Sequence, residues 1–107
     1  MTLSLKGTAT ALVTPFNQDG SVDLGAFEAL VHWQIENGID VLVPCGTTGE
    51  SATVSNDERK SLIETAVKAS NGRAPVIAGT GGNDTQKAAA LQIIAKEAGA
   101  DATLVVT

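Results

Sequence analysis

Short runs of small and β-branched apolar residues alternate along the chain with longer segments whose apolar positions recur at a helical period. The pattern is one of strands alternating with amphipathic helices. The first run, Thr8 to Thr14, stops at Pro15 and predicts a buried strand. A turn at Asn17-Gln-Asp-Gly20 leads to Asp23, a suitable cap for a helix with Leu24, Phe27, Leu30, Val31 and Ile35 on one face. Asn37-Gly38 ends that helix, because glycine accepts left-handed backbone geometry. Val41 to Cys45 is the second predicted strand, and the loop Gly46-Thr-Thr-Gly49 follows it. Ser55 and Glu58 have capping-box spacing for a second helix with a stripe of Leu62, Ile63, Ala66 and Val67, closed by Asn71-Gly72. Pro75 to Ala78 predicts a third strand running into Gly79-Thr-Gly-Gly82. Asn83 or Asp84 caps a third helix carrying Ala88, Leu91, Ile94, Ala95 and Ala98. Gly99 stops it, and Ala102 to Thr107 predicts a fourth strand.

The order β-α-β-α-β-α-β implies an α/β fold with a parallel sheet and right-handed crossovers. Gly38-Ile-Asp-Val41 and Gly99-Ala-Asp-Ala102 occupy the same helix-to-strand junction, a weak internal repeat compatible with doubly wound sheets and (β/α)₈ barrels alike. A length of 107 residues fits one domain, and no linker, low-complexity stretch or charge block divides residues 1–107. The sequence stops in or just after the fourth predicted strand. A parallel strand buried on both faces needs a following helix, so an interrupted fold is expected.

Charge narrows the function classes. Twelve acidic against seven basic side chains give a net charge of −5, which repels phosphate backbones and argues against nucleic acid as a partner. No apolar run reaches the length of about 18 residues that a membrane span needs. Met1 to Lys6 lacks the basic-then-apolar order of a secretory signal, so a cytoplasmic location is expected. Cys45 is the single cysteine and His32 the single histidine, which leaves no internal disulfide and no zinc-type cluster. No metal or cofactor is expected.

Thr14-Pro-Phe16, Gly46-Thr-Thr-Gly-Glu50 and Gly79-Thr-Gly-Gly-Asn83 each fall just after a predicted strand, on the one rim where α/β proteins build sites. In the second loop, two glycines permit tight turns that aim successive N–H groups at an anion, and Thr47 and Thr48 add hydroxyls. No lysine follows as in a phosphate-binding loop, so a small carboxylate fits better. The bland alternative is a plain strand-to-loop turn tied down by Glu50. Gly79-Thr-Gly-Gly-Asn-Asp84 imitates a dinucleotide fingerprint, but Asp84 replaces the third glycine and would face a pyrophosphate. Cys45 lacks a histidine to activate it and suits a buried strand end. His32 and Trp33 suit packing or a subunit contact, and Thr14 either reaches the rim or finishes its strand. The five lysines, Lys6, Lys60, Lys68, Lys87 and Lys96, lie before the first strand or within helices. None sits at a strand end facing a pocket, so the chain offers a binding rim without a complete catalytic set.

Thr14-Pro-Phe16, Gly46-Thr-Thr-Gly-Glu-Ser51 and Ile77-Ala-Gly-Thr-Gly81 closely resemble, in order and spacing over the whole chain, the dihydrodipicolinate synthase family. That family belongs to the pyruvate-dependent, Schiff-base-forming class I aldolases, together with N-acetylneuraminate lyase. The T-T-G-E-S form is closer to the synthases than to the lyases. The resemblance implies a parallel (βα)₃β segment of a (β/α)₈ TIM barrel, homotetrameric when complete. It implies condensation of pyruvate with L-aspartate 4-semialdehyde on the route to lysine and diaminopimelate. The residue matching Thr47 shares a proton relay with two tyrosines, and the one matching Thr48 holds the pyruvate carboxylate beside Gly46 and Thr14. The family's Schiff-base lysine, relay tyrosines and an arginine for the second substrate fall in the remainder of the barrel; this sequence has no tyrosine. Ser51, Ala52 and Asn83 match positions of a lysine effector site. Asn56 and Arg59 stand there in place of histidines and Lys87 in place of glutamate, which argues against lysine as an effector. The rival from another class is a self-contained α/β domain that binds a small anion without catalysis.

Overall fold

Helices form where a side-chain cap precedes an apolar stripe. In the computed structural model, which describes residues 3–106, helix α1 spans Leu24–Glu36 and starts at Asp23, whose carboxylate accepts from the Ala26 N–H at 3.0 Å. It ends at Asn37 and Gly38, the latter at φ 90°. Helix α2, Asn56–Ser70, opens on a reciprocal box: the Glu58 N–H donates to Ser55 Oγ at 3.1 Å and the Ser55 N–H to Glu58 Oε1 at 2.9 Å. Helix α3, Thr85–Glu97, is capped by Asp84 rather than Asn83, its carboxylate accepting from the Gln86 and Lys87 N–H groups.

Strands β1 (Ala9–Ala11), β2 (Val41–Val43), β3 (Ile77–Gly79) and β4 (Ala102–Leu104) alternate with these helices. β1 pairs in parallel with β2, and β3 with β4. A parallel bridge between Leu42 and Val76 joins the pairs, aided by Leu42 N–H to Pro75 O and Gly79 N–H to Pro44 O, both 3.0 Å. The strands therefore follow one another across the sheet in chain order. β2 lies in the middle and is buried throughout, whereas Ala9 and Ala11 of β1 are exposed.

All four strands differ from their predicted spans. Among the described residues β1 and β4 each have a neighbour on one side only, so their ladders end where that neighbour turns away. Val105 and Val106 leave the ladder and stand 55% and 60% exposed, and Thr107 of the predicted fourth strand lies outside the described residues, as do Met1 and Thr2 of the N-terminal reading. β3 starts later than predicted, its run shifted toward Gly79.

The core lies between β1–β3 and the first two helices. Phe27 and Val31 of α1 meet Leu62, Ile63 and Ala66 of α2 over Leu42 and Val76, all nearly inaccessible. Leu24 opens α1 too early to reach this core and does not pack as the apolar pattern suggested, while Trp33 projects outward at 57% exposure, against packing within this chain and compatible with the subunit-contact reading.

The internal repeat has a physical basis. Asp40 Oδ2 accepts from the Thr8 N–H and Asp101 Oδ2 from the Val76 N–H, at 2.8 and 2.9 Å. The Thr8 carbonyl accepts from the N–H groups of Asp40 and Val41, and the Val76 carbonyl from those of Asp101 and Ala102. The same latch thus sets register at both strand pairs. Among the described residues no helix is long and apolar enough to cross a membrane.

Candidate functional site

Parallel strands bring all their C-terminal ends to one rim, so the three loops singled out above emerge together. The loop after β2 is the most elaborate. Cys45 enters it at φ 60° and Glu50 leaves it at φ 57°, both left-handed positions that side chains rarely adopt. Between them, Gly49 N–H bonds Gly46 O at 3.1 Å and Glu50 N–H bonds Thr47 O at 3.0 Å, giving two overlapping turns. Glu50 ties the loop down through its backbone, its carbonyl accepting from Thr53 N–H and Thr53 Oγ1, while the side chain stays exposed.

Close approach of backbone shapes this rim. A Cβ on Gly79 would overlap the Cys45 carbonyl, and one on Gly49 would lie 2.9 Å from Leu12 O. Glycine at both positions lets the β2 loop settle against β1 on one side and β3 on the other.

Thr14 is buried, and its hydroxyl donates to the Gly49 carbonyl at 2.7 Å. It therefore acts on the loop from behind. Thr47 and Thr48 are exposed on the outer arc, and among the described residues neither their N–H groups nor their hydroxyls have a protein partner. Gly46 is half-buried beneath them. Two unengaged amides next to two unengaged hydroxyls can receive a small anion.

Other groups drop out on chemical grounds. Cys45 is buried and its thiol is pushed up to about 11 by that burial, which the nearby Arg59 charge only partly offsets. It is a poor nucleophile there. At α3 the Asp84 carboxylate occupies the helix N-terminus that a pyrophosphate would need. His32 faces Arg73 at 3.3 Å and Glu28 at 3.8 Å on the outer helical surface, away from the rim. Ser51 begins the 3₁₀ turn Ser51–Thr53, while Ala52 and Asn83 are exposed.

Arg59 is the residue whose importance the sequence reading missed. It is 4% exposed, donating from Nη1 to Gly79 O at 2.6 Å and from Nη2 to Ser51 O at 3.1 Å. The signal was present in the spacing, since Arg59 precedes Leu62, Ile63 and Ala66 at the intervals of one helical face.

A sequence profile described as the dihydrodipicolinate synthetase family matches residues 4–107. The chain belongs to that family. It is 53% identical to the 4-hydroxy-tetrahydrodipicolinate synthase of Maridesulfovibrio salexigens over 98% of its own length and 36% of that protein. It is 56% identical to the enzyme of that name from Brucella abortus, over 96% of this chain and 35% of the relative. Among solved structures, the chloride-inhibited dihydrodipicolinate synthase of Acinetobacter baumannii complexed with pyruvate superposes with a TM-score of 0.93 at 45% identity, covering 97% of this chain and 36% of that one. The Aquifex aeolicus dihydrodipicolinate synthase gives 0.89 at 48% identity over 94% and 34%. The chain spans about a third of the length of these relatives.

Proposed function

We propose that residues 1–107 form the opening (βα)₃β part of a single (β/α)₈ barrel, a cytoplasmic, homotetrameric lyase when complete. Its reaction is condensation of pyruvate with L-aspartate 4-semialdehyde through a lysine Schiff base, a step toward lysine and diaminopimelate. The observation that carries this reading is the pair of unengaged N–H groups and hydroxyls at Thr47 and Thr48, in a family member whose loop is closed by two turn bonds and tied to the β1 end through Thr14. Thr48 and Gly46 receive the pyruvate carboxylate, a fixed dipolar cradle that suits one small anion. The Thr47 hydroxyl, able to donate and accept together, passes a proton between tyrosines supplied by the remainder of the barrel. Thr14 sets the cradle's depth by holding Gly49. Ser51, Ala52 and Asn83 are candidate effector positions; Lys87, standing where lysine-sensitive relatives carry an acid, would repel an ammonium group and argues against lysine as the ligand there.

The nucleophile comes from elsewhere in the barrel. A Schiff base needs an amine with depressed pKa held against the carbonyl, and Lys60, Lys68, Lys87 and Lys96 are exposed on helices. Incubation with pyruvate and borohydride tests the assignment, because reduction converts an imine into a stable mass increase. The complete enzyme is expected to acquire one adduct per chain on a lysine outside residues 1–107. A stoichiometric adduct on any of the five lysines of this segment would overturn the reading.

A further inference from the structure

The geometry points to Arg59 as a positioning residue that presents the Gly46–Glu50 loop to its carboxylate. This inference rests on the pyruvate-loop reading above and adds to it the means by which the loop is held and charged.

A guanidinium taken out of water is costly unless it is paired. Arg59 is buried, yet among the described residues no carboxylate lies within ion-pair distance, and its Nε has no acceptor. An aliphatic side chain would serve the α2 face beside Leu62 and Ile63 at lower cost. What Arg59 provides is a fork. One nitrogen holds the Gly79 carbonyl at the end of β3, and the other holds the Ser51 carbonyl just past the loop. Thr14 holds Gly49 from the β1 side. The segment leaving the arc of Thr47 and Thr48 is therefore held twice, at Gly49 and at Ser51, by groups from separate elements, and the same guanidinium ties it to the end of β3. With no acid beside it, the guanidinium charge also stays available to the loop, where a low local dielectric strengthens its pull on an anion.

The test is made in the complete enzyme with Arg59→Met, which keeps the apolar stem, and Arg59→Lys, which keeps the charge but not the fork. Steady-state kinetics should give a pyruvate KM about tenfold higher for Met and about threefold higher for Lys, with kcat changed less than about threefold, in line with lost charge-assisted hydrogen bonds. A Glu-specific protease should cut after the exposed Glu50 at least about fivefold faster in the Met variant, a sign of local opening. A merely structural arginine would lower thermal stability and the active fraction while leaving KM at its wild-type value. Wild-type KM together with wild-type cleavage in the Met variant overturns the inference. Should that variant fail to fold, an unchanged KM in the Lys variant overturns it instead. A wild-type enzyme that forms no borohydride-trapped pyruvate adduct would sink the pyruvate-loop reading, while the cleavage rates still judge the clamp.

Discussion

Replacing Thr14 by valine isolates one hydrogen bond. The side chains are close in shape, so the change removes the hydroxyl that donates to Gly49 O at 2.7 Å and leaves little cavity. Thr14 is 5% exposed, and among the described residues it is the donor that Gly49 O has. The carbonyl is thus left buried and unpaired, which costs about 1–3 kcal/mol, far more than the net value of an exchangeable hydrogen bond. A middle figure of about 2 kcal/mol corresponds to roughly thirtyfold in an equilibrium, at about 1.4 kcal/mol per tenfold. The loop's own amides report it. Gly49 N–H and Glu50 N–H are protected by turn bonds that break when the loop lifts, so their native-state hydrogen exchange should speed up by about that factor in Thr14→Val. Thr14→Ser keeps the donor and should exchange within a few-fold of wild type. Equal exchange in the valine and wild-type proteins would mean that Gly49 O finds another partner and that Thr14 merely fills space.

Thr47→Val should separate function from stability: Thr47 is exposed and unengaged, so unfolding should shift by no more than about 0.5 kcal/mol, whereas turnover falls by about 10²-fold if its hydroxyl relays the proton. Unchanged kcat would reduce Thr47 to a loop residue. Cys45, with its thiol pushed up to about 11, should be alkylated at pH 8 at least about hundredfold more slowly than a free thiol, until denaturant exposes it; rapid labelling in the folded protein contradicts its burial. Backbone and hydroxyl contacts from Ser55 hold the Glu58 carboxyl below its ordinary value of 4.5. Because the folded value is the lower one, the support this box gives α2 is complete above pH 4.5 and is lost as pH falls through the folded value. Circular dichroism should show the N-terminal turn of α2 fraying in acid, and Glu58→Gln, which cannot ionise, should abolish that pH dependence.

Helix boundaries were legible in the sequence because capping is local chemistry. Asp23, Ser55 with Glu58, and Asn71 each act within three or four residues of themselves, and all three ends fall where they indicate. Strand limits depend on neighbours far along the chain, which is why, among the described residues, the runs that begin at Thr8 and at Ala102 have three paired residues each. The choice between Asn83 and Asp84 was not legible, because adjacent residues of either type can cap a helix. At the rim, the glycine loop announced itself by composition. The engagement of Thr14 with Gly49 and of Arg59 with Gly79 and Ser51 did not, since each joins residues 8 to 35 positions apart.

The latch at Asp40 and Asp101 carries a consequence for how such chains arise. Each aspartate fixes the alignment of an incoming strand against its predecessor using only main-chain groups of that predecessor. Alignment is therefore encoded at the seam between units rather than in the side chains they bury. A duplicated or transplanted strand–helix–strand block that keeps its seam aspartate aligns through main-chain groups of its new neighbour, provided the residue before the latched N–H leaves room, as Gly7 does for Asp40. Mutational drift in the interior then leaves the seam unaffected, and ancestral copies can diverge in their binding loops while still stacking edge to edge.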